Sequence, residues 1–183
     1  MKKLLAVLGA SVFVIGSVVA VLADQSRIID KRNEYGGETE EETYSVGDAK
    51  YKEGLAKLIE YYDGSKRILK LETVFTDDHA RLDGVQRSVQ FYDNKLFRPG
   101  VRTRVEFYYS DSYTRREGIA KAIQYYDEDG EKEKIDYYYT DDYAKKRQVS
   151  RLEVHYSEKG KVIKRVYYDK NGMVLSTEGK TKD

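Results

Sequence analysis

The sequence predicts a mainly β protein: an antiparallel meander of tandem hairpin repeats of about 30 residues, with short helical turns between units, after an N-terminal signal helix. Three observations lead to this prediction. Aromatic residues recur at regular spacing, polar turns follow many of them, and the segments between turns alternate polar and apolar residues as strands do. About eight or nine strands would form a curved open sheet or an incompletely closed barrel.

The repeat spacing is regular. One aromatic position before a polar turn recurs at intervals of 30, 34 and 30 residues, at Tyr62, Tyr92, Tyr126 and Tyr156. A second set lies at Phe75, Tyr109, Tyr139 and Tyr168, and its first three members precede the next member of the first set by 17 residues each time. The predicted units are residues 46–75, 76–109, 110–139 and 140–168, and the second has an insertion around residues 97–100.

Each unit contains two strand-like segments joined by a turn. The run Asp127-Glu128-Asp129-Gly130 places glycine where a hairpin of this length needs a positive φ angle. The second segment alternates well, and its two faces carry different residue types. Val105, Phe107 and Tyr109 point to one face, and Arg104, Glu106 and Tyr108 point to the other.

The connections between units have the features of short helices. Thr76, Ser110 and Thr140 are followed by acidic residues, which is typical of a helix N-cap. Basic residues close each stretch, and Gly84 or Gly118 then provides a helix stop. We expect one or two helical turns at each of these places.

The two flanks differ from the units. Residues 24–45 include an acidic run and read as a linker, although Thr39 to Ser45 could pair as a first strand. At the other end, a tight turn at residues 169–172 replaces the helical connection. The segment Met173 to Glu178 is then expected to be a C-terminal capping strand, and the repeat domain extends over residues 46–183.

The N-terminus reads as a secretory signal peptide over residues 1–23. Lys2 and Lys3 precede an uncharged run from residue 4 to residue 22, and small residues lie at the positions that signal peptidase accepts before cleavage after Ala23. We expect a periplasmic or secreted protein. The alternative is an uncleaved anchor in the inner membrane that faces the periplasm, because the apolar run approaches the length of a bilayer span.

Composition narrows the class of protein. Cysteine is absent, which excludes disulfides and thiolate metal sites, and 33 basic residues are balanced by 32 acidic ones. Balanced charge argues against a nucleic-acid-binding protein. Tyrosine is abundant, with 18 residues and no tryptophan, which suits half-buried positions on a thin sheet because the ring is buried and the hydroxyl keeps a partner.

The stretch HYSEKGKVIKRVYYDKNGMV, residues 155–174, carries a Tyr-Tyr-Asp-x-x-Gly pattern. It resembles the MORN-variant repeat of antitoxin-like bacterial proteins and the YD repeat of secreted Rhs-type shells. That resemblance implies hairpin-joined strands in an array that serves binding or enclosure instead of catalysis. It assigns no functional residue.

Two acidic patterns could carry chemistry. Asp127-x-Asp129-Gly130 and Asp169-x-Asn171-Gly172 match the opening of a calcium loop, but they lack its distal glutamate and are also what hairpin turns use. The pairs Asp77-Asp78 and Asp141-Asp142 could act in acid–base catalysis, but helix capping already explains them. We therefore expect neither a metal nor a cofactor.

The two histidines, His79 and His155, replace aromatic residues at repeat positions, which favours a packing role. No Cys-His pair and no G-x-S-x-G motif is present in the sequence, so no catalytic residue is assigned.

The tyrosines are the most suggestive candidates for binding. Tyr108, Tyr138 and Tyr167 share one predicted repeat position, and Tyr109, Tyr139 and Tyr168 share the next. One row is expected in the core, and the other could stack on sugar rings or bind an extended partner. The alternative is cross-strand pairing that only stabilises the sheet.

These observations favour an exported, non-enzymatic binding or structural module of the bacterial envelope, with a protein or glycan partner. A glycan-active hydrolase, with carboxylates brought together by the fold, is the alternative. A third reading, an immunity partner of a secreted toxin, rests on the family resemblance.

Overall fold

A computed structural model describes residues 26–30, 32–93 and 100–179. Within these residues the fold is mainly β, with one sheet of eleven antiparallel strands whose order in the sheet equals their order in the chain. The strands are β1 (Ser26–Asp30), β2 (Gly36–Thr43), β3 (Leu55–Asp63), β4 (Ile68–Phe75), β5 (Val85–Tyr92), β6 (Arg102–Tyr109), β7 (Ile119–Tyr126), β8 (Lys132–Tyr139), β9 (Arg151–Tyr156), β10 (Val162–Tyr168) and β11 (Val174–Gly179). The predicted antiparallel meander is confirmed, with more strands than expected.

The additional strands lie in the N-terminal flank. The acidic run at residues 38–42, interpreted as a linker with a possible first strand from Thr39 to Ser45, is part of β2, which pairs with β1 on one side and β3 on the other. Repulsion among its carboxylates does not prevent pairing, because adjacent side chains point to opposite faces of the sheet. At the C-terminus, β11 lies one residue beyond the predicted capping strand.

Four short helices connect the hairpins. Their bounds are α1 (Ala49–Lys52), α2 (Asp77–Asp83), α3 (Asp111–Glu117) and α4 (Asp141–Arg147). Thr76, Ser110 and Thr140 are confirmed as N-caps, because each side-chain oxygen accepts a hydrogen bond from the backbone N–H three residues later. Gly84 and Gly118 are confirmed at the helix ends, where both have positive φ angles.

Consecutive helical connections contact each other at the glycine that follows each helix, through a hydrogen bond and a packed ring. The N–H groups of Thr76, Ser110 and Thr140 donate to the carbonyls of Gly54, Gly84 and Gly118, at 2.8 Å in each case. A side chain of the same helix lies directly over each glycine: His79 over Gly54, Tyr113 over Gly84 and Tyr143 over Gly118. Each of these rings also stacks on the last residue of the preceding strand, with centroids 4.6 Å apart, in the pairs His79–Phe75, Tyr113–Tyr109 and Tyr143–Tyr139.

The connection after α4 lacks this packing of a ring on a glycine. Gln148 ends α4 in the same left-handed conformation, with φ of 59°. After β10 the chain makes a tight turn to β11 instead of a helix, so no ring from a following helix packs on Gln148. A side chain is therefore tolerated where the earlier connections need glycine.

A cluster of buried residues defines one face of the sheet, which we call the core face, although Val89, Ile123 and Val166 are buried on the opposite face. The cluster consists of Ala122, Ile135, Tyr137 and Val154, and half-buried residues such as Phe107 and Leu152 pack against it. Because the sheet is a single layer, each residue packs mainly against its neighbours on adjacent strands.

Some predictions concern other parts of the chain. The signal peptide or anchor at residues 1–23 and most of the insertion around residues 97–100 lie outside the described residues. Within residues 26–30, 32–93 and 100–179, no helix has the length and apolarity that a bilayer span requires.

Candidate binding face

The face opposite the core carries three rows of side chains that run across the strands, and we call it the charged face. Residues directly opposite each other on paired strands share a face, so the rows follow from the register. The turn-side row contains Tyr61, Lys70, Phe91, Arg104, Tyr125, Lys134, His155 and Lys164. The central row contains Glu41, Ile59, Glu72, Val89, Glu106, Ile123, Asp136, Glu153 and Val166. The helix-side row contains Lys57, Val74, Arg87, Tyr108, Lys121, Tyr138, Arg151 and Tyr168.

The turn-side row alternates aromatic rings and basic groups. Lys70 Nζ lies 4.1 Å from the centre of the Tyr61 ring, and the Arg104 guanidinium lies 3.8 Å from that of Phe91. Such cation–π contacts stabilise a fold by about 0.5–1 kcal/mol each at exposed sites. The alternation therefore holds neighbouring strands in register and keeps like charges off directly opposed positions.

The helix-side row follows the same rule. The Arg87 guanidinium lies 4.1 Å from the centre of the Tyr108 ring, and Lys121 Nζ lies 5.0 Å from the same point. Arg151 lies 3.9 Å from the Tyr168 ring. The Tyr108 ring is thus contacted by one cation from each neighbouring strand, Arg87 from β5 and Lys121 from β7.

The central row supplies the counter-charges. Each of its first three acids binds the base of the next strand in the helix-side row: Glu41 with Lys57 at 2.7 Å, Glu72 with Arg87 at 2.9 Å and Glu106 with Lys121 at 2.9 Å. Burial opposes ionisation of Glu106, but hydrogen bonds from Tyr108 and Lys121 and the charge of Lys121 outweigh it, so the pKa of Glu106 is lowered. These ion pairs are half-buried, and their positions recur every second strand.

The alternation of acids and aliphatic residues breaks at β9. Glu153 occupies the position that Ile59, Val89 and Ile123 hold on earlier strands, and it lies directly opposite Asp136. Both carboxylates are near the ammonium of Lys134, at 3.4 Å from Asp136 Oδ2 and 3.6 Å from Glu153 Oε2.

The pKa values of Asp136 and Glu153 are shifted in opposite directions. Asp136 is only 2% exposed, and its Oδ1 atom has no hydrogen-bond partner. Burial raises the pKa of Asp136 despite Lys134, and the charge of Glu153 raises it further. Burial also acts on Glu153, but its hydrogen bond to His155, at 2.5 Å, and the nearby cations lower the pKa of Glu153. The pair therefore shares cations and is not arranged to bind an additional ligand.

The six candidate tyrosines separate into two groups. Tyr108, Tyr138 and Tyr168 lie in the helix-side row of the charged face. The predicted grouping of Tyr167 with Tyr108 and Tyr138 is wrong, because the register pairs Tyr168, and not Tyr167, with Arg151, the β9 residue that also faces Tyr138. Tyr167 lies on the core face, where its hydroxyl donates to Glu178 at 3.4 Å.

Tyr109 and Tyr139 also lie on the core face, at the helix-side ends of their strands. Their rings stack on Tyr113 and Tyr143, and burial raises the pKa of both phenols, to about 12 for Tyr139. These two rings are therefore packing residues.

The remaining candidates have structural contacts. Asp127 Oδ1 accepts hydrogen bonds from the N–H groups of Asp129 and Glu131, and Asp169 Oδ1 accepts those of Asn171 and Met173. These are Asx turns that close hairpins. Among the described residues, no cluster of three or more His, Asp or Glu side chains is placed to hold a metal ion.

The acidic pairs and the two histidines have structural roles. The acidic pairs lie at helix N-termini, and the histidines are packing residues. Asp77-Asp78 and Asp141-Asp142 form the exposed first turns of α2 and α4. His79 also pairs with Asp83 at 3.2 Å.

One depression lies beside the first residue of the turn-side row. It has a volume of about 420 Å³, opens to solvent, and is lined by Asp30, Glu34, Glu41 and Tyr61 among others. Sequence reasoning missed this group, because β1 and β2 were interpreted as a linker.

Sequence reasoning also did not predict the three rows of the charged face, although the sequence contains a pattern that indicates them. The pattern base-x-acid-x-Tyr occurs at Arg104-Glu106-Tyr108 and again at Lys134-Asp136-Tyr138. Comparison of the chain with protein-family models and with curated proteins gives no match.

Proposed function

We propose that this chain is an exported, non-catalytic module of the bacterial envelope, built as a tandem array of hairpin repeats that serves as a scaffold and binds an extended protein or glycan across its charged face. The observation that carries the proposal is the strand order: eleven strands follow one another without a crossover, as in arrays whose units contact only their neighbours. The helix–strand–strand order recurs from α1 to β10, in agreement with units of about 30 residues. The MORN-like or YD-like resemblance belongs to the same proposal.

The dimensions of the sheet support a scaffold. Neighbouring strands lie about 4.8 Å apart, so the ten intervals between β1 and β11 extend over roughly 48 Å. The rows repeat every second strand, or about every 9.6 Å, which gives an extended partner regularly spaced charges.

The chemistry of the charged face favours charge-based contacts over ring stacking. Cations already cover the Tyr108 and Tyr168 rings at 3.9–5.0 Å, so a sugar could stack there only by displacing a guanidinium or ammonium group. A partner would instead interact with the outer ends of the basic side chains and with tyrosine hydroxyls. Double substitution Tyr138→Ser and Tyr168→Ser in the helix-side row tests this contact surface.

The experiment is affinity capture with the purified chain from envelope fractions after chemical crosslinking. We expect a specific protein or glycan to be recovered by the wild-type chain, less of it by the Tyr138→Ser/Tyr168→Ser variant, and an unchanged amount by the core-face variant Tyr167→Ser. A capture that recovers nothing, or equal recovery by all three chains, would contradict the binding proposal.

A glycan-active hydrolase is the second candidate, and the depression beside Tyr61 is the observation that favours it. Asp30, Glu34 and Glu41 supply carboxylates there, the groups on which glycoside hydrolysis depends, and Tyr61 lies beside them with Lys70 Nζ over its ring. Asp136 and Glu153 are poorer candidates, because Asp136 is buried and shares cations with Glu153. Hydrolysis of envelope glycans that is lost in Asp30→Asn or Glu34→Gln would favour this candidate over the scaffold.

A further inference from the structure

We propose that two copies of this chain associate through antiparallel pairing of their β11 strands, which joins the two sheets into one of twenty-two strands about a two-fold axis. This inference concerns the edge of the sheet and does not depend on the proposed function.

β11 has the properties of an edge open to pairing. It is the last strand in the sheet order and pairs only with β10 among the described residues. All six of its residues are exposed, including Val174 at 57% and Leu175 at 49%. Natural edge strands are usually protected by lysine, proline or inward-pointing charges, and the segment from Val174 to Gly179 contains a single charged residue, Glu178.

The direction of the strands indicates a second copy as the partner. All ten pairs of neighbouring strands are antiparallel. A strand that pairs with its own copy about a two-fold axis normal to the sheet is also antiparallel, and the same faces remain on the same side. The charged faces and the core faces of the two copies are then continuous.

Pairing of β11 with β1 of another copy is less favourable, because it cannot be antiparallel and keep the faces aligned at the same time. The two strands run in the same direction, because they are separated by an even number of antiparallel steps. Pairing with aligned faces would therefore be parallel, and it would leave free edges for open-ended growth. A closed dimer through β11 leaves only the β1 edges, which carry Asp30 and the exposed Ile29.

The residues of β11 are compatible with self-pairing. When the faces are aligned, the two-fold axis passes through Ser176 or through Thr177, and either register pairs five residues of the strand. Glu178 then faces Val174 in the first register and Ser176 in the second. Neither register places two carboxylates opposite each other, so no like-charge repulsion opposes the dimer.

The contact is small. One strand from each copy buries less than the roughly 1,200–2,000 Å² of a stable protein interface, so the dimer should be weak and depend on concentration. Sedimentation velocity of the purified chain over roughly 5 to 500 µM tests this directly. We expect the weight-average mass to rise from that of one copy toward that of two.

The matched variants separate the two edges. Triple substitution Ser176→Lys, Thr177→Lys and Glu178→Gln places lysines opposite each other in either register and removes the carboxylate that would attract the lysine at position 176 in the second register, so it should keep the chain monomeric at every concentration. Ile29→Lys places the same charge on the β1 edge and should leave the association unchanged. A wild-type chain that stays monomeric, association that persists in the triple variant, or association that is lost only in Ile29→Lys would each overturn the proposal.

Cysteine crosslinking gives a second measurement that does not rely on a lysine variant folding normally. Since the chain has no cysteine, Ser176→Cys or Thr177→Cys introduces a single thiol at the proposed axis. Mild oxidation should give a disulfide-linked dimer with at least one of them and none with Ile29→Cys. Absence of crosslinking in both β11 variants, or crosslinking only in Ile29→Cys, would overturn the proposal.

Discussion

The ring of Tyr113 lies directly against Gly84, so that a Cβ atom added at Gly84 would be 2.2 Å from Tyr113 Cδ2. The same contact occurs between Tyr143 and Gly118, where the distance would be 2.1 Å. These glycines are required for two reasons at once, a positive φ angle and the space taken by the next helix.

Gly84→Ala should therefore lower the free energy of unfolding by about 2–4 kcal/mol, from left-handed backbone strain plus overpacking against Tyr113. Gly130→Ala is the matched control, because Gly130 has the same φ of 83° with no atom within 4 Å of an added Cβ. It should lose only about 1 kcal/mol. Urea unfolding measures both, and equal losses would show that the ring contact contributes nothing.

Glu153→Ile restores the alternation of the central row and should lower the pKa of Asp136. The charge of Glu153 is one of the causes that raise that pKa, although burial is the larger one. NMR titration of the Asp136 carboxyl carbon measures the change. An unchanged Asp136 pKa would mean that the two carboxylates do not interact; Glu158→Ile, in an exposed turn, is the control.

The raised pKa of Asp136 also makes the free energy of unfolding depend on pH. A raised pKa in the folded state means that the folded chain holds this proton more tightly than the unfolded chain. The stability that Asp136 contributes is present below the ordinary pKa of an aspartate and is lost as pH rises through the raised value. Glu153 has the opposite effect, because its lowered pKa adds stability as pH rises to the ordinary glutamate value. Above that value, where the contribution of Glu153 is complete, Glu153→Ile should lose less stability than the wild type as pH rises through the raised pKa of Asp136.

The stacked tyrosines predict alkaline sensitivity. Burial, followed by the neighbouring Tyr143, raises the pKa of Tyr139 from 10.0 to about 12, so its contribution to stability is present below pH 10 and is lost as pH rises toward 12. Tyr139→Phe should lose less stability than the wild type over this range in urea unfolding. Tyr51→Phe removes a hydroxyl outside the stacked pairs, and it should follow the wild type.

The Asx turns predict no response to calcium. Asp127 Oδ1 is already occupied by two backbone N–H groups, at 3.0 and 2.9 Å. Millimolar calcium should leave the melting temperature unchanged, whereas Asp127→Ala should lower stability by about 1 kcal/mol. Lys159→Ala, in the turn that Ser157 closes, is the control. A calcium-dependent rise in melting temperature that Asp127→Ala abolishes would contradict this.

Signals within a few residues of one another are sufficient to specify the strands, helix caps and helix ends of this protein. Alternation at 104–109, capping residues such as Thr76, and glycines such as Gly84 act within a few residues, so their pattern predicted strands, caps and helix ends correctly. The meander also follows from the short connections, because hairpin strands pair with their neighbours.

Which residues share a row depends on the pairing of the strands and could not be predicted from local patterns. A shift of one residue moves a side chain to the opposite face, and the irregular register near the helix ends and turns is not visible in the spacing of aromatic residues. Tyr168 therefore lies with Tyr108 and Tyr138 on the charged face, while Tyr167 lies on the core face. Pairing energy across strands also places the acidic segment of β2 in the sheet, where composition alone favoured a linker.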